Sequence, residues 1–186
     1  MRHARTATLV LAGAFLSCGA TLHAQEFTAQ MLESRNAAAG FAGTLKFAIG
    51  RAARRCRTLL GKDEAWMRGV VDSWLERNGR FSEAAEMWSS LLATSVAKAR
   101  GDAAGQEVAR QIVDIISADA ERLVISYLGE TEDQQKQACT TYAQSIADGR
   151  FDIPPTAEMY PELLELVAMF EEDPAEVVKA PAAPAN

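Results

Sequence analysis

The sequence predicts an all-α protein: a single-domain bundle of five to six helices with one disulfide between two of them. Apolar residues recur at helical spacing through most of the chain, and no run alternates apolar and polar residues as a half-buried strand would. Two cysteines, Cys56 and Cys139, each fall on the apolar side of a predicted helix. We expect the helical domain to cover residues 25–173, which is long enough for a core of its own.

Residues 1–24 have the pattern of a secretory signal peptide. Arg2 and Arg5 provide its positive end, residues 7–18 its apolar centre, and Ala24 a small residue at which cleavage can occur. The segment is too short, and has the wrong flanks, for a membrane-spanning helix. We therefore expect a periplasmic or secreted protein, cleaved after about Ala24, that keeps no integral membrane segment.

Cleavage would remove both histidines, His3 and His23, together with Cys18. A chain without histidine lacks the usual base for a serine or cysteine nucleophile, and it cannot form histidine-ligated zinc, copper or haem sites. We predict no catalytic residues, no metal and no cofactor. The remaining cysteines, Cys56 and Cys139, are expected to pair in an oxidising compartment, with a reactive free thiol as the alternative.

The charge balance of the cleaved chain is acidic. Of 19 basic residues Arg2 and Arg5 are lost, so 17 remain against 25 acidic ones, and the net charge is −8. This balance argues against binding to nucleic acid or to an anionic membrane surface. It favours a partner protein that is basic.

The first predicted helix runs from residue 27 to about residue 60, with a break or bend near Gly40 and Gly43. Cys56 lies on its inward face. The opposite face carries a basic cluster, made up of Arg51, Arg54, Arg55 and Arg57. The sequence leaves two interpretations of this cluster: a solvated face that pairs with the acidic C-terminal part of the chain, or a site for an anionic partner.

The second predicted helix begins at Asp63 and stops at residues 78–79, where Asn-Gly is typical of a left-handed helix end. Trp66 and Trp74 lie on its apolar face. Arg77 projects on the same side, and three interpretations of it stay open. Its guanidinium could lie over the Trp74 ring or reach a buried carboxylate. Alternatively, the aliphatic part of the side chain packs on the helix while the guanidinium extends into water.

A third helix is predicted to start at Ser82, with Trp88 in its apolar arc, and to end near Gly101. A short turn follows. Tryptophans at helical spacing are more typical of a bundle core than of a ligand site.

Residues 106–128 are predicted to form the most apolar helix, which we place at the centre of the bundle because apolar residues cover more than half of its circumference. Asp119 falls inside that arc. A carboxylate there must be paired or protonated. It is either a structural charge, satisfied by an arginine such as Arg77 or by a tyrosine hydroxyl, or the mark of a functional cavity.

The last part of the domain has clear local signals. Residues 131–134, Thr-Glu-Asp-Gln, form a capping box that opens a helix with Cys139 facing inward, and Gly149 closes it. Pro161 suits the first turn of a final helix. The Ala/Pro-rich tail, residues 174–186, is predicted to be disordered.

No phosphate-binding, dinucleotide, redox or calcium motif occurs in the sequence. The leading hypothesis is an exported, non-enzymatic protein-binding module. In size, export and helicity the chain is similar to small exported helical immunity or inhibitor proteins with one disulfide. The first alternative is a carrier of a small apolar ligand in a pocket lined by Trp66, Trp74 and Trp88. The last is a carboxylate-dependent hydrolase that uses a pair such as Glu64 and Asp119.

Overall fold

The computed structural model describes residues 19–171, with side chains from residue 32 onward. The described range folds into helices α1 (Gly19–Leu59), α2 (Glu64–Arg100), α3 (Asp102–Leu128), α4 (Glu132–Ala147) and α5 (Tyr160–Phe170). It contains no strand, so the all-α prediction is confirmed. Residues 34–171 belong to one compact unit, which contains the helical domain.

Two sequence predictions fall outside what the structure describes. The signal sequence up to residue 18 and the Ala/Pro-rich tail, residues 174–186, lie outside the described residues. Residues 19–24, around the expected cleavage point, are described only as helical backbone. Cleavage and tail disorder therefore stay predictions.

Helix α1 is continuous from Gly19 to Leu59, so the predicted start near residue 27 and the break near Gly40 and Gly43 are both wrong. Glycine lowers helix stability by about 1 kcal/mol, but packing of a buried face readily outweighs this cost. Gly43 has a packing role, because a Cβ there would lie only 2.9 Å from Cδ1 of Ile116. The absence of a side chain lets α3 approach α1.

Helix α2 begins as predicted, since the carboxylate of Asp63 accepts a hydrogen bond from the Trp66 amide at 2.8 Å. The predicted stop at residues 78–79 and the new start at Ser82 are wrong, because α2 runs unbroken to Arg100. Asn78 is buried within the helix, where its side chain bonds to groups outside α2 instead of ending it. A long buried face sustains the helix on both sides of this point; it contains Val70, Trp74, Phe81, Ala84, Ala85 and Trp88.

Helix α3 follows α2 after the single turn residue Gly101, whose φ of 93° is left-handed. Gly105 brings the two helices together, because a Cβ at Gly105 would lie 2.6 Å from that of Ala97. The predicted central position of α3 is wrong. Only a narrow stripe of large side chains is buried, whereas Ile115 is 63% exposed and Val113 is 50% exposed.

Helix α4 has the predicted capping box, in which Thr131 accepts from the Gln134 amide and the Gln134 side chain returns the bond. Gly149, with φ of 73°, follows the helix end. The sulfur atoms of Cys56 and Cys139 lie 1.99 Å apart, at disulfide distance, which confirms the predicted link between two helices.

The helix pair α1 and α4 is further joined by Tyr142, whose buried hydroxyl donates to the Ile49 carbonyl at 3.2 Å. Burial raises the pKa of this phenol, so it stays neutral. Helix α5 carries Pro161 in its first turn as predicted, and it buries Leu163, Leu166 and Val167. All five helices contribute to the main core, and α3 does so through Ala120, Val124 and Leu128.

Candidate functional site

The main candidate site is an apolar cleft where α3 crosses α1 and α2. It consists of two adjoining depressions of about 370 and 260 Å³. Both are bounded by Ala39, Ser89, Ile112 and Ile116, which form the ridge between them. The first depression adds Asn36, Gly40, Trp88, Leu92, Val96, Val108 and Ile115, and the second adds Gly43, Lys46, Phe47, Ala85, Glu86 and Val113.

The polar groups of the first depression are already engaged within the protein. The Asn36 side-chain oxygen accepts a hydrogen bond from the Trp88 indole at 2.9 Å. The Ser89 hydroxyl donates to the Ala85 carbonyl at 2.8 Å. The other side chains that line this depression are aliphatic or aromatic. The depression therefore suits an apolar ligand that carries at most one hydrogen-bond acceptor, placed near the side-chain NH₂ group of Asn36.

Gly40 keeps the first depression open. A Cβ built at this position would meet no heavy atom within 4 Å. Since Gly40 also lines the depression, a side chain added there starts from open space and extends into the cleft. The glycine therefore offers a direct way to block the site.

Large apolar side chains form the rim of the cleft and are exposed to water. Ile115 stands on the rim of the first depression, while Val113 and Phe47 stand on that of the second. Clustered exposed apolar side chains around a depression are typical of an interaction site. The wide apolar arc of α3 predicted that all of these side chains belong to the core, whereas Val113 and Ile115 lie on the exposed rim of the cleft.

The predicted pocket lined by three tryptophans is wrong. Trp66 and Trp88 lie on the same unbroken helix, and at 1.5 Å per residue they are about 33 Å apart. Trp74 is fully buried, and its indole donates to the Phe151 carbonyl at 2.9 Å. Trp66 is half-buried and packs against the core. Of the three, Trp88 lines the apolar cleft.

Arg77 reaches a carboxylate, as one of the three interpretations proposed. Its Nε donates to Asp152 at 2.7 Å, and the same guanidinium donates to the carbonyl groups of Ser73 and Ile146. The hydrogen bond to Asp152 raises the pKa of Arg77. Asp152 is half-buried, and it also accepts from Asn78 at 3.0 Å. The contacts of Arg77 therefore hold the turn after α4 against α2.

Asp119 pairs with an arginine, as one interpretation expected, but this arginine is Arg122 on the next turn of α3 and not Arg77. The predicted position inside a buried arc is wrong, because the side chain is 39% exposed. The reason is the narrow buried stripe of α3, which passes through Ile116 and Ala120 and leaves Asp119 beside it. Glu64, the other carboxylate suggested for hydrolysis, pairs with Arg57. The two carboxylates therefore belong to separate ion pairs.

Among the residues that the structure describes, the acidic partners of the basic cluster lie in α2 and α3, whereas one interpretation expected them in the C-terminal part of the chain. Glu121 on α3 accepts from Arg55 at 2.8 Å and lies 3.4 Å from Arg51. The hydrogen bond from Arg55 lowers the pKa of Glu121. Arg54 is exposed and forms no ion pair with any described residue. A depression of about 370 Å³ is lined by Arg51, Arg54, Arg55, Thr58, Leu59 and Glu121.

The chain matches no protein-family model, no curated protein and no solved structure. Within the described range, no group of three or more histidine, cysteine, aspartate or glutamate side chains is arranged to hold a metal ion.

Proposed function

We propose that this protein is an exported, non-enzymatic binding module for another protein, and that the apolar cleft is its binding surface. The observation that carries the proposal is the exposure of Phe47, Val113 and Ile115 around two open depressions. These side chains are already partly covered, so burying the rest of one on association contributes on the order of 1 kcal/mol. The chain therefore gains more from covering this surface than from leaving it in water.

The shape of the cleft favours a protein partner over an enclosed small molecule. Small-ligand sites usually bury most of their ligand. Here Ile112 and Ile116 divide the space, and the rim residues Val113 and Ile115 are half or more exposed. Two shallow depressions side by side suit two apolar side chains presented by a partner, as in the binding of a helix to a groove.

Export is part of the proposal, and two features support it. The first 24 residues have the signal pattern, and the Cys56–Cys139 disulfide fits an oxidising compartment. None of the described helices has the length and apolarity to cross a membrane. Mass spectrometry of the native protein tests this part: we expect a chain beginning at Gln25 with two hydrogens missing, and an intact amino terminus would contradict export with cleavage.

A cleft-filling variant tests binding. Gly40→Leu places a side chain in the first depression, whereas Gly69→Leu makes the same change on the exposed surface of α2, where a Cβ also meets nothing within 4 Å. A protein recovered in stoichiometric amount from periplasmic extract by the wild type and by Gly69→Leu should be lost with Gly40→Leu. Equal recovery by both variants would place the binding surface elsewhere.

The carrier of a small apolar ligand is the second candidate, since Trp88 forms one wall of the first depression. A neutral apolar dye such as Nile red tests it by energy transfer from tryptophan. If the depression encloses such ligands, Trp88→Phe should remove most of the transfer, because Trp88 lines the depression, while Trp66→Phe should preserve most of it. Saturable dye binding that Gly40→Leu removes, with no protein partner recovered, would favour the carrier.

A further inference from the structure

Helices α1 and α3 form a continuous seam that joins the apolar cleft to the basic cluster. On α1 it contains Phe47, Arg51 and Arg55 at four-residue spacing, and on α3 Val113, Ser117 and Glu121 at the same spacing. Phe47 and Val113 both line the second depression. Arg51 donates to the Ser117 carbonyl at 3.0 Å, and Arg55 pairs with Glu121 at 2.8 Å. The two helices therefore run in the same direction, and the seam changes from apolar to basic along it.

The basic end of the seam keeps an excess of positive charge. Three arginines, Arg51, Arg54 and Arg55, line the depression at this end, and Glu121 is the single carboxylate that lines it with them. Because its pKa is lowered, Glu121 is ionised at neutral pH and balances one of them. The two remaining charges lie beside an open depression of about 370 Å³, and Arg54 has no ion-pair partner among the described residues.

The helix dipole does not explain this excess. A cation is favoured at the C-terminal end of a helix, but the effect falls off within the last turn. Arg57 lies in the last turn of α1 and already pairs with Glu64. Arg51 and Arg54 lie before that turn. Arg51 is bonded to Ser117 and lies near Glu121, whereas Arg54 pairs with none of the described residues. The described residues therefore leave positive charge at this end of the seam for a ligand.

The spacing along α1 sets the distance between the apolar group and the negatively charged group of such a ligand. Arg54 is seven residues beyond Phe47, which corresponds to about 10 Å or two helical turns. A partner that covers the second depression therefore has its next two turns over the basic end of the seam. The net charge, −6 for the full chain and −8 after the expected cleavage, attracts a basic protein at long range, but contact here requires negative charge.

This inference rests on the proposed function. We propose that the occupant of the cleft is a helical segment of a partner protein with two features. It places apolar side chains in the two depressions and, about two turns further along, a carboxylate against Arg51 and Arg54. Arginine is suited to this role because its planar guanidinium binds a carboxylate through two parallel hydrogen bonds.

A displayed library of helical peptides tests the inference without a known partner. The peptides carry leucines at helical spacing, and the positions two turns further along are randomised among Glu, Lys and Gln. Selection is run on the disulfide-bonded wild type, Gly40→Leu, Arg54→Glu and, as the matched charge control on α2, Arg68→Glu. We expect about a tenfold preference for Glu over Lys on the wild type and on Arg68→Glu, and no preference or a reversed one on Arg54→Glu.

The outcomes separate the two proposals. Peptides that bind the wild type but not Gly40→Leu, without any preference for Glu, would keep the binding cleft and overturn the acidic partner. No enrichment over Gly40→Leu would count against both. If oleate displaces the selected peptides from the wild type but not from Arg54→Glu, the seam binds a fatty acid and the inference of a protein segment is wrong.

Discussion

The turn after α4 and the apolar cleft use α2 in opposite ways. At the turn, the Asn78 side chain accepts from the Ile153 amide at 2.9 Å and donates to Asp152 at 3.0 Å, so the polar groups that α2 meets there are paired. At the cleft, α2 meets α3 over a surface that leaves Ile115 and Val113 in water. The first region is closed by the chain itself, and the second is left open.

This difference separates the residues that hold the fold from the residues that are free to bind. Polar groups that are buried and fully paired stabilise one arrangement of the chain, because removing one partner leaves the other unsatisfied. Exposed apolar residues contribute little to folding and can be covered by a partner. Changes in the closed region should therefore lower stability, and changes at the cleft rim should lower binding.

The largest loss of stability is expected from removing the disulfide. Replacing both Cys56 and Cys139 by alanine opens a loop with a sequence separation of 83 residues. The free energy of unfolding should fall by about 4 kcal/mol, since the cross-link restricts the unfolded chain. Urea denaturation of the oxidised wild type and the double variant measures the difference. A change below about 1 kcal/mol would mean that the disulfide between α1 and α4 contributes little to the stability of the fold.

The second largest loss is expected from Asn78→Leu. The substitution leaves the Ile153 amide without its acceptor in a buried position, and it removes the bond to Asp152. We expect about 2–4 kcal/mol of destabilisation in thermal or urea unfolding. Asn36→Leu is the matched change at the cleft. Asn36 is exposed, and its side chain accepts one hydrogen bond, from the Trp88 indole. Asn36→Leu should lower the free energy of unfolding by about 1 kcal/mol. If Asn78→Leu and Asn36→Leu lower it equally, the distinction between the closed region and the cleft is wrong.

Two neighbouring isoleucines sharpen the comparison within the cleft. Ile116 is buried against Gly43, whereas Ile115 is 63% exposed. Ile116→Ala should destabilise the fold by about 2 kcal/mol, the low end for a buried isoleucine because it borders an open depression. Ile115→Ala should change stability by less than about 0.5 kcal/mol and still weaken partner binding. Equal effects of the two substitutions on unfolding would show that Ile115 is part of the core.

The smallest effect is expected at the basic end of the seam. The pKa of Glu121 is lowered in the folded protein by the hydrogen bond from Arg55. Its contribution is therefore present above the ordinary pKa of 4.5 and is lost as the pH falls through the folded value. Because the group is over a third exposed, Glu121→Gln should cost well under about 1 kcal/mol at neutral pH. The variant should also lose less stability than the wild type on acidification, and an unchanged acid slope would contradict this account.

Local signals in the sequence predicted the elements that depend on nearby residues. The Asp63 cap, the Thr131–Gln134 capping box and Pro161 each act within one helical turn, so the sequence alone places them. The disulfide followed from an even pair of cysteines on inward faces. The same reasoning failed at residues 78–79, because asparagine serves both as a helix stop and as a buried hydrogen-bonding residue.

The candidate site could not be predicted from the sequence, because its position depends on how the helices pack against one another. Periodicity locates the apolar residues of α3, but it does not say which of them a neighbouring helix covers. Ile115 and Ile116 are adjacent isoleucines in the same apolar arc, but Ile115 is 63% exposed and Ile116 is 8% exposed. The partner of Arg77, Asp152, lies 75 residues further along the chain, so only the folded structure identifies it.

Site-specific photo-crosslinking tests the central claim most directly. A photoreactive phenylalanine analogue is placed on α3 either at Ile115, on the cleft rim, or at Ile125, which is exposed on the same helix but does not line the cleft. In cells that export the protein, we expect one discrete crosslinked protein from position 115, abolished by Gly40→Leu, and little or none from position 125. Equal crosslinking from both positions, or no product from position 115, would contradict the claim that the open region of this fold is its binding surface.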